Sequence, residues 1–306
     1  MRLNQLRAAA LPLGAMVALG AAGAAERAVA SPQTPPERAV ASPQTAPERS
    51  GIPSSGRARA GASLPTAPAR PGASPLEVAA LQEALQVVVI KTPSWEAVRG
   101  TAQRFERSTK EARFRAVGPP LPVWVGRGGL GLRSDAAAAA AGERGPRKQE
   151  GDGRSPAGVL TVGAMWGYAE RAPAGVRLPY KTAGEHDRCV DDIGSPYYNR
   201  LTTQPPGGPP PWRSAESLRL PTDHYKYLVV LGYNTEAPRP GAGSCIFLHL
   251  APPPGSPTAG CTALAEADLL TVLRWLDPQR HPVLLQLPAP LLQAGGAWPI
   301  PDELRR

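Results

Sequence analysis

The sequence has few aromatic residues, few cysteines and no long apolar stretch beyond its N-terminal end. Aromatic residues make up 5% of the 306 residues, and there are three cysteines and four histidines. The cysteines are far apart and the histidines scattered, which matches no zinc-site spacing, so neither a metal ion nor another cofactor is expected. Sparse aromatic residues, dispersed arginines and the lack of a helix-turn-helix pattern argue against nucleic-acid binding. Because no later run of about twenty apolar residues occurs, no membrane span is expected after the N-terminus.

Proline, glycine and positive charge are abundant instead. The chain contains 38 prolines and 32 glycines, and its formal net charge is +9. Two explanations of the charge remain open. One is a coding bias that favours arginine together with alanine, proline and glycine. The other is an exported protein that stays close to anionic polymers of the cell envelope.

The first 25 residues have the layout of a secretory signal peptide. Arg2 and Arg7 are followed by the apolar run 8–22, and small residues then lead to Glu26. This order of basic, apolar and small residues is typical of a cleaved signal, and the run is too short and alanine-rich for a good membrane span. An uncleaved anchor is the alternative. The sequence therefore predicts an exported protein of the periplasm or cell envelope.

Residues 26–74 are predicted to form a disordered, proline-rich linker. An 11-residue unit at 26–36 recurs almost unchanged at 37–47. Two copies of a polar, proline-rich unit have no apolar face to stack, so they are not a solenoid repeat. The linker either carries the folded domain through a polymer mesh or is an unselected spacer. The folded domain is predicted to cover residues 75–306.

The folded part is predicted to be mostly β, a curved sheet or sandwich-like domain with one or two short helices. Short apolar runs between Gly- and Pro-rich loops indicate strands. The clearest are 227–231 and 245–250, and further strands are predicted at 86–90 and 283–287. A hairpin is expected over 95–113, a separate strand at 123–125, and a helical turn or loose loop at 136–141. Leu269 and Leu273 share one face of a helix predicted over 265–276, which ends at Pro278.

The region 243–264 carries the strongest candidate chemistry. His249 lies at the end of a predicted strand, a Pro/Gly loop follows, and Cys261 comes next to the small residue Gly260. Strand alternation places Cys245, Phe247 and His249 on one face. The loop is long enough to bring the thiol against the imidazole, which would generate the reactive thiolate. A helix starting a few residues after Cys261 is expected to add modest thiolate stabilisation. The alternative is that His249 is a buried core histidine.

The three cysteines allow three disulfide pairings, and each leaves one thiol free. If Cys261 is the nucleophile, Cys189–Cys245 is the only compatible bridge. The alternative is that all three cysteines are small buried apolar residues.

Other polar residues are weaker candidates. His281 is expected in an exposed turn, His186 in a solvated loop, and His224 just before a strand. Asp191 and Asp192 form a pair of carboxylates, but turn capping is a simpler explanation for the pair than cation binding.

The region 243–264 resembles the catalytic signature of the L,D-transpeptidase catalytic domain family, cysteine enzymes that remodel bacterial peptidoglycan. His249 matches the family's strand histidine, and residues 258–261 (Thr-Ala-Gly-Cys) match its Ser/Thr-x-Gly-Cys turn. Residues 150–158 (Glu-Gly-Asp-Gly-Arg-Ser-Pro-Ala-Gly) look like its Gly-Asp-Gly-[Lys/Arg]-[Ser/Thr]-Pro-x-Gly element. Further similar segments are 189–192, 195–201, Asn234 and 243–244. The resemblance extends over residues 86–287.

The resemblance implies a two-step covalent acyl transfer on peptidoglycan stem peptides. Cys261 would attack the carbonyl between the diamino acid and the terminal D-alanine of a tetrapeptide stem. His249 would take the thiol proton and later serve the incoming amine, while Gly260 and the backbone N–H of Cys261 would help hold the oxyanion. A second stem as acceptor would give a cross-link, whereas water would give trimming.

Two positions depart from the family pattern. Residues 262–264 (Thr-Ala-Leu) stand where many members have an arginine after the cysteine, and Leu250 stands where a glycine often follows the histidine. An L,D-carboxypeptidase-type hydrolase on the same fold and a non-catalytic envelope-binding module are the alternatives.

Overall fold

The structure, a computed structural model, describes residues 74–133, 145–251, 253–294 and 298–306. The predicted signal peptide 1–25, the linker up to residue 73 and the turn expected at 136–141 lie outside the described residues. All of the described residues belong to one unit, Leu64–Arg306. In that part of the chain, no helix has both the length and the apolar character needed to cross a bilayer.

Strands form most of the regular structure, which confirms the predicted mostly β class. The strands are β1 (Gln86–Thr92), β2 (Arg99–Glu106), β3 (Arg115–Trp124), β4 (Leu130–Leu132), β5 (Ser155–Gly167), β6 (Tyr180–Thr182), β7 (Asp187–Cys189), β8 (Leu201–Thr203), β9 (Glu216–Ser217), β10 (Tyr227–Gly232), β11 (Phe247–Leu250), β12 (Thr262–Leu264) and β13 (Val283–Pro288). The helices are α1 (Pro75–Glu83), α2 (Glu266–Trp275) and α3 (Ala289–Ala294), with 3-10 helices at Asp223–Tyr225, Pro278–Arg280 and Asp302–Arg305.

The large sheet closes on itself into a barrel-like core. Its order is β10-β11-β12-β3-β2-β1-β13-β5-β4, with β6 beside β5. Because β10 also pairs antiparallel with β5, the path returns to its starting strand. Closure of this kind removes free sheet edges, the positions at which strands pair with other chains. The expected curved sheet is therefore a closed one.

Helix α1 begins the described chain and is fixed to the sheet through its cap. The Ser74 hydroxyl accepts the Glu77 N–H, while the Glu77 carboxylate accepts the Ser74 N–H, a reciprocal capping box. The second oxygen of Glu77 accepts the N–H of Val159 in β5 at 3.1 Å. The predicted start of the folded domain near residue 75 thus coincides with a capped helix.

The expected hairpin over 95–113 is displaced in the structure. The paired strands are β2 and β3, and the charged run between them forms the turn. The Arg107 guanidinium holds this turn by donating to the Ala84 and Lys110 carbonyls. A strand is present at residues 123 and 124, as predicted, but it is the end of β3 and not a separate strand. The helix predicted over 265–276 is confirmed as α2, with Leu269 and Leu273 buried.

Two apolar clusters occupy opposite faces of β11. Ile246, Leu248 and Leu250 belong to the main core inside the sheet. Cys245 and Phe247 belong to a smaller cluster on the other face. The predicted alternation along this strand is confirmed, although Cys245 itself has a left-handed φ of 54° and precedes the regular strand.

A small three-stranded sheet, in the order β8-β7-β9, adjoins the smaller cluster. A disulfide between Cys189, the last residue of β7, and Cys245 ties this sheet to the start of β11, with a Cα–Cα distance of 5.8 Å. Cys261 is the free, buried cysteine. The predicted bridge is therefore present.

Candidate active site

Parallel pairing of β11 with β12 places the candidate histidine and cysteine on one face. His249 pairs with Ala263 and Leu248 with Thr262. The same register puts Cys261, the residue before β12, level with Phe247. Because side chains alternate along strands, His249 and Cys261 both project away from the main core. Two adjacent strands thus bring together residues that are twelve positions apart in the chain.

Both residues line a cavity of about 520 Å³. Three carboxylates contribute to its wall, those of Glu150, Asp191 and Glu216, and Arg127 and Lys148 supply cationic side chains. The rest of the wall near the thiol comes from His224, Tyr225, Ser244 and the turn 256–261. The cavity therefore has charged groups of both signs, a buried thiol and an imidazole in its wall.

The turn that carries Cys261 is held from two sides. The Cys261 carbonyl accepts hydrogen bonds from the hydroxyls of Ser155 and Thr258, each at 2.6 Å. Ser155 is fully buried and in turn accepts the Gly126 N–H at 2.8 Å. The segment 150–158, in which Ser155 is the first residue of β5, thus fixes the backbone of the cysteine turn.

A second connection reaches the turn from β13. The Thr262 hydroxyl donates to Gln286 at 2.7 Å, and the Gln286 amide donates to the Pro156 carbonyl at 2.8 Å. Because these bonds join β12, β13 and β5, the backbone of the turn that carries Cys261 is held in place.

Gly260 occupies a conformation and a space that favour glycine. Its φ is +154°, and a Cβ atom there would lie 3.2 Å from the Arg154 carbonyl oxygen. Its N–H donates to the Thr258 hydroxyl at 3.1 Å. Gly260 therefore allows close backbone packing at the site, while its part in an oxyanion hole stays a prediction.

The segments that carry the family resemblance meet around Glu150. The Tyr198 and Ser244 hydroxyls donate to the Glu150 carboxylate at 2.5 and 2.7 Å, and Tyr198 accepts the Gly243 N–H at 3.1 Å. The Asn199 side chain accepts the N–H of Cys245 at 2.9 Å. Residues from 150–158, 195–201 and 243–245 thus form one hydrogen-bonded cluster, of which Glu150, Ser244 and Cys245 line the cavity.

His249 is a buried, neutral imidazole. Its Nδ1 lies 2.9 Å from the Leu250 carbonyl oxygen, which can only accept, so Nδ1 carries the hydrogen. The backbone of His224 is also within hydrogen-bonding reach of the ring. Burial, opposed by the hydrogen bonds to the Leu250 and His224 backbone and assisted by the charge of the His224 ring, lowers the pKa of His249 to about 4. At neutral pH the ring is therefore neutral, and a pKa this low makes it a weak base.

The Cys261 thiol is protonated in this state. Burial, and then the negative charge of Glu216, raises its pKa, while hydrogen bonds from the Phe247 backbone and the Tyr225 hydroxyl act in the opposite direction. The thiol lies 3.5 Å from the Cys245 carbonyl oxygen. Within the described residues, no hydrogen bond joins Cys261 to His249. The resting thiol is thus not activated by direct contact with the imidazole.

The expected contribution of a helix start to the thiolate is absent. Strand β12 lies between Cys261 and the first residue of α2, Glu266. A helix N-terminus acts on charges within about its first turn. Three extended residues span roughly 10 Å, so the thiol is out of its range.

Tyr225 and Glu216 were not predicted, and both belong to the site. The Tyr225 ring packs edge-on against His249 and Phe247, at centroid distances of 5.2 and 5.7 Å. Its hydroxyl hydrogen-bonds the Glu216 carboxylate and lies within hydrogen-bonding reach of Cys261. Burial raises the pKa of Glu216 to about 7, assisted by the nearby carboxylates of Asp191 and Glu150.

The structure places some of the weaker histidine and aspartate candidates at the cavity and others away from it. His224 lines the cavity, with its ring 6.2 Å from that of His249. Asp192 caps turns by accepting the Gly194 and Arg213 N–H groups, each at 2.9 Å, which confirms the capping interpretation. Asp191 lines the cavity instead. His186 and His281 are exposed and lie outside its wall.

Comparison of the chain with family models, with curated proteins and with solved structures finds no match. No group of three or more potential metal ligands lies together among the described residues.

Proposed function

We propose that the protein is an exported peptidoglycan L,D-transpeptidase that works by cysteine acyl transfer. The observation that carries the proposal is the shared cavity. His249 in β11 and Cys261, just before the adjacent parallel strand β12, open into it, and Ser155 of the segment 150–158 is hydrogen-bonded to the cysteine turn. A free thiol and a neutral imidazole in the wall of one cavity suit nucleophilic catalysis. The resemblance supplies the substrate, the L,D-peptide bond of a tetrapeptide stem.

Acylation requires the thiol proton to leave as sulfur attacks the carbonyl carbon. Sulfur attack at the carbonyl between the diamino acid and D-alanine gives a tetrahedral oxyanion. Its collapse expels D-alanine, whose nitrogen takes up a proton, and leaves a thioester on Cys261. In the second step, the amine of another stem attacks the thioester. The new amide forms as the Cys261 sulfur leaves, and the neutral imidazole of His249, in the wall of the same cavity, is the group we assign to take the proton of this amine.

The two charge signs of the cavity suit a peptide stem that bears both amine and carboxylate groups. Arg127 and Lys148 lie in the wall with the cysteine turn, and the Arg127 backbone is bonded to the Thr258 carbonyl at 2.8 Å. Many family members have an arginine shortly after the cysteine, and this chain does not. Arg127 is a cation at the same turn, supplied by a different loop, that can attract a substrate carboxylate.

Export is supported by the disulfide as well as by the N-terminal sequence. Disulfides persist in oxidising compartments such as the bacterial periplasm, and the Cys189–Cys245 bridge joins two elements of the site. We infer that the protein acts in the cell envelope, where stem peptides occur.

The proposal is tested by incubating the protein with purified tetrapeptide muropeptides and analysing the products by mass spectrometry. Cross-linked dimers that have lost one D-alanine are expected, and Cys261→Ala, which keeps the Cys189–Cys245 bridge, should form none. Tripeptides without dimers would identify a carboxypeptidase-type hydrolase. If the folded protein, with Cys261 as a free thiol, leaves the muropeptides unchanged, catalysis is contradicted and a binding module is favoured.

A further inference from the structure

Cys245 is attached to its surroundings through its side chain, its N–H and its carbonyl. Its sulfur forms the disulfide with Cys189. Its N–H donates to the side-chain oxygen of Asn199 at 2.9 Å, in a buried hydrogen bond. Its carbonyl oxygen accepts the buried Cys261 thiol at 3.5 Å. Cys245 therefore links the thiol of the candidate site to two residues of the segment 189–199.

Strand pairing does not set the direction of the Cys245 carbonyl. The paired part of β11 begins two residues later, at Phe247. Cys245 itself has a left-handed φ of 54°, a conformation that is uncommon for a residue with a Cβ atom. The groups that bond Cys245 from other segments therefore keep its carbonyl aimed at the thiol.

Asn199 holds Cys245 with an amide that is itself fixed. Its oxygen accepts the Cys245 N–H, and its nitrogen donates to the Tyr233 carbonyl at 2.9 Å and to the Asn234 carbonyl at 2.6 Å. Asn199 is buried, and its own φ is 58°, a left-handed conformation that asparagine adopts more readily than most residues. Asn199 thus ties the Cys245 peptide to the residues that follow β10.

The region of the small three-stranded sheet supplies both groups that hold Cys245. Cys189 is the last residue of β7, and Asn199 lies shortly before β8. The Asn199 N–H donates to the Val190 carbonyl at 2.7 Å, which joins the two attachments through the backbone. The disulfide and the amide therefore act on one residue from one support.

We propose that Asn199 is a positioning residue for the nucleophile: acting through Cys245, it directs the carbonyl that holds the Cys261 thiol and so sets the position of the sulfur in the cavity. A thiol bonded to a fixed carbonyl is held in one of the three staggered rotamers open to its side chain. The inference rests on the proposed cysteine acyl transfer. It concerns the position of the sulfur before attack and leaves the proton transfers to His249.

The hydrogen bond of the thiol can be measured directly in the full chain. Of its three cysteines, two form the disulfide, so Cys261 supplies the only S–H group. The infrared S–H stretching band is therefore a single signal, and a hydrogen bond from the thiol moves it to lower wavenumber. We expect the wild-type band below that of an alkyl thiol dissolved in hexane.

Asn199→Gly tests the role of the amide. Glycine adopts a left-handed φ freely, so the substitution removes the side chain without disturbing the backbone conformation at this position. The S–H band should move to higher wavenumber and broaden. The burst rate with p-nitrophenyl acetate, which acylates the thiol without any stem peptide, should fall by about 10-fold or more, because the sulfur loses its fixed orientation.

Gln86→Ala is the matched control. Gln86 is also a buried side-chain amide that joins two backbone groups, since it accepts the Asp277 N–H and donates to the Trp275 carbonyl, each at 2.8 Å. It lies outside the cavity wall. Its loss should lower the free energy of unfolding, as Asn199→Gly does, and should leave both the S–H band and the burst rate at their wild-type values.

Three results would overturn the inference. The first is a wild-type S–H band at the wavenumber of the thiol in hexane, which needs no variant and decides the question even if Asn199→Gly does not fold. The second is a folded Asn199→Gly that keeps either the wild-type band or the wild-type burst rate. The third is a wild type that gives no burst. Because neither measurement uses a stem peptide, failure of this inference and failure of the proposed peptidoglycan activity are separate outcomes.

Discussion

The Ser155 hydroxyl donates a 2.6 Å hydrogen bond to the carbonyl oxygen of Cys261, although 106 residues separate them in the chain. Ser155 simultaneously accepts the Gly126 N–H at 2.8 Å. One buried hydroxyl therefore joins the start of β5, the loop after β3 and the turn that carries Cys261. The position of the thiol depends on this connection as well as on its own strand.

Replacing Ser155 by alanine should destabilise the protein and slow Cys261. The substitution leaves the buried Gly126 N–H without its partner and removes one of two hydroxyls from the Cys261 carbonyl, at a cost of about 2 kcal/mol. Urea unfolding measures this loss, and the alkylation rate of the thiol measures the effect on the site. Ser94→Ala, which removes an exposed hydroxyl that only caps the Glu96 N–H, should change both values little. Equal free energies of unfolding for Ser155→Ala and the wild type would contradict a stabilising role of the Ser155 hydrogen bonds.

The disulfide should contribute strongly to stability. It closes a segment of 56 residues, for which loop-closure entropy in the unfolded chain corresponds to roughly 4 kcal/mol. Reductant should therefore lower the unfolding midpoint of the wild type, and it should have no effect on a variant with Cys189→Ala and Cys245→Ala. Non-reducing peptide mapping that finds a bridge to Cys261 would contradict both the fold and its free thiol.

Glu216 should make stability depend on pH near neutrality. Its pKa in the folded protein is about 7, above the ordinary 4.5, so its protonated form is favoured by folding. That contribution is complete below about pH 4.5 and is lost as the pH rises through 7. In Glu216→Gln, which retains an acceptor for the Tyr225 hydroxyl, the loss is absent. The difference in free energy of unfolding between the variant and the wild type should rise by about 2–3 kcal/mol in favour of the variant as the pH rises from 5 to 8. Parallel stability profiles would show that Glu216 does not titrate in this range.

Export should remove the N-terminal segment. N-terminal sequencing of protein from the envelope fraction should start within a few residues of Glu26, because small residues there follow the apolar run. Protein that retains Met1 in a cytoplasmic fraction would contradict the export prediction.

The sequence predicted the parts of the fold that depend on local pattern. Alternation along β11 placed Phe247 and His249 on one face, and apolar periodicity located α2. The boundaries of β2 and β3 were missed because the run 107–113 has strand-like length but forms a turn held by the side chain of Arg107. The Arg107 side chain donates to the Ala84 carbonyl, in a distant segment, and to the nearby Lys110 carbonyl. A contact between distant segments cannot be read from a local sequence pattern.

The site shows the same division between local and long-range information. The free thiol and the disulfide partners followed from counting cysteines under the assumption that Cys261 reacts. Tyr225 and Glu216 lie in a loop-rich stretch whose pattern carries no catalytic signal. Glu216 reaches the site because β9 pairs with β7 and the disulfide ties β7 to β11. Tyr225 reaches it because its 3-10 helix leads into β10, which pairs with β11. The raised pKa of Cys261 is likewise a consequence of burial that only the folded chain reveals.

The most direct test of the account is to trap the acyl-enzyme on Cys261. The protein is mixed with a tetrapeptide stem, quenched in acid within one turnover, and examined by intact mass and peptide mapping. The account predicts release of one D-alanine and a tripeptide acyl group on the peptide that contains Cys261. It predicts neither product in Cys261→Ala, whose folding is checked by urea unfolding. Release of D-alanine by Cys261→Ala at the wild-type rate would show that this thiol is not the nucleophile.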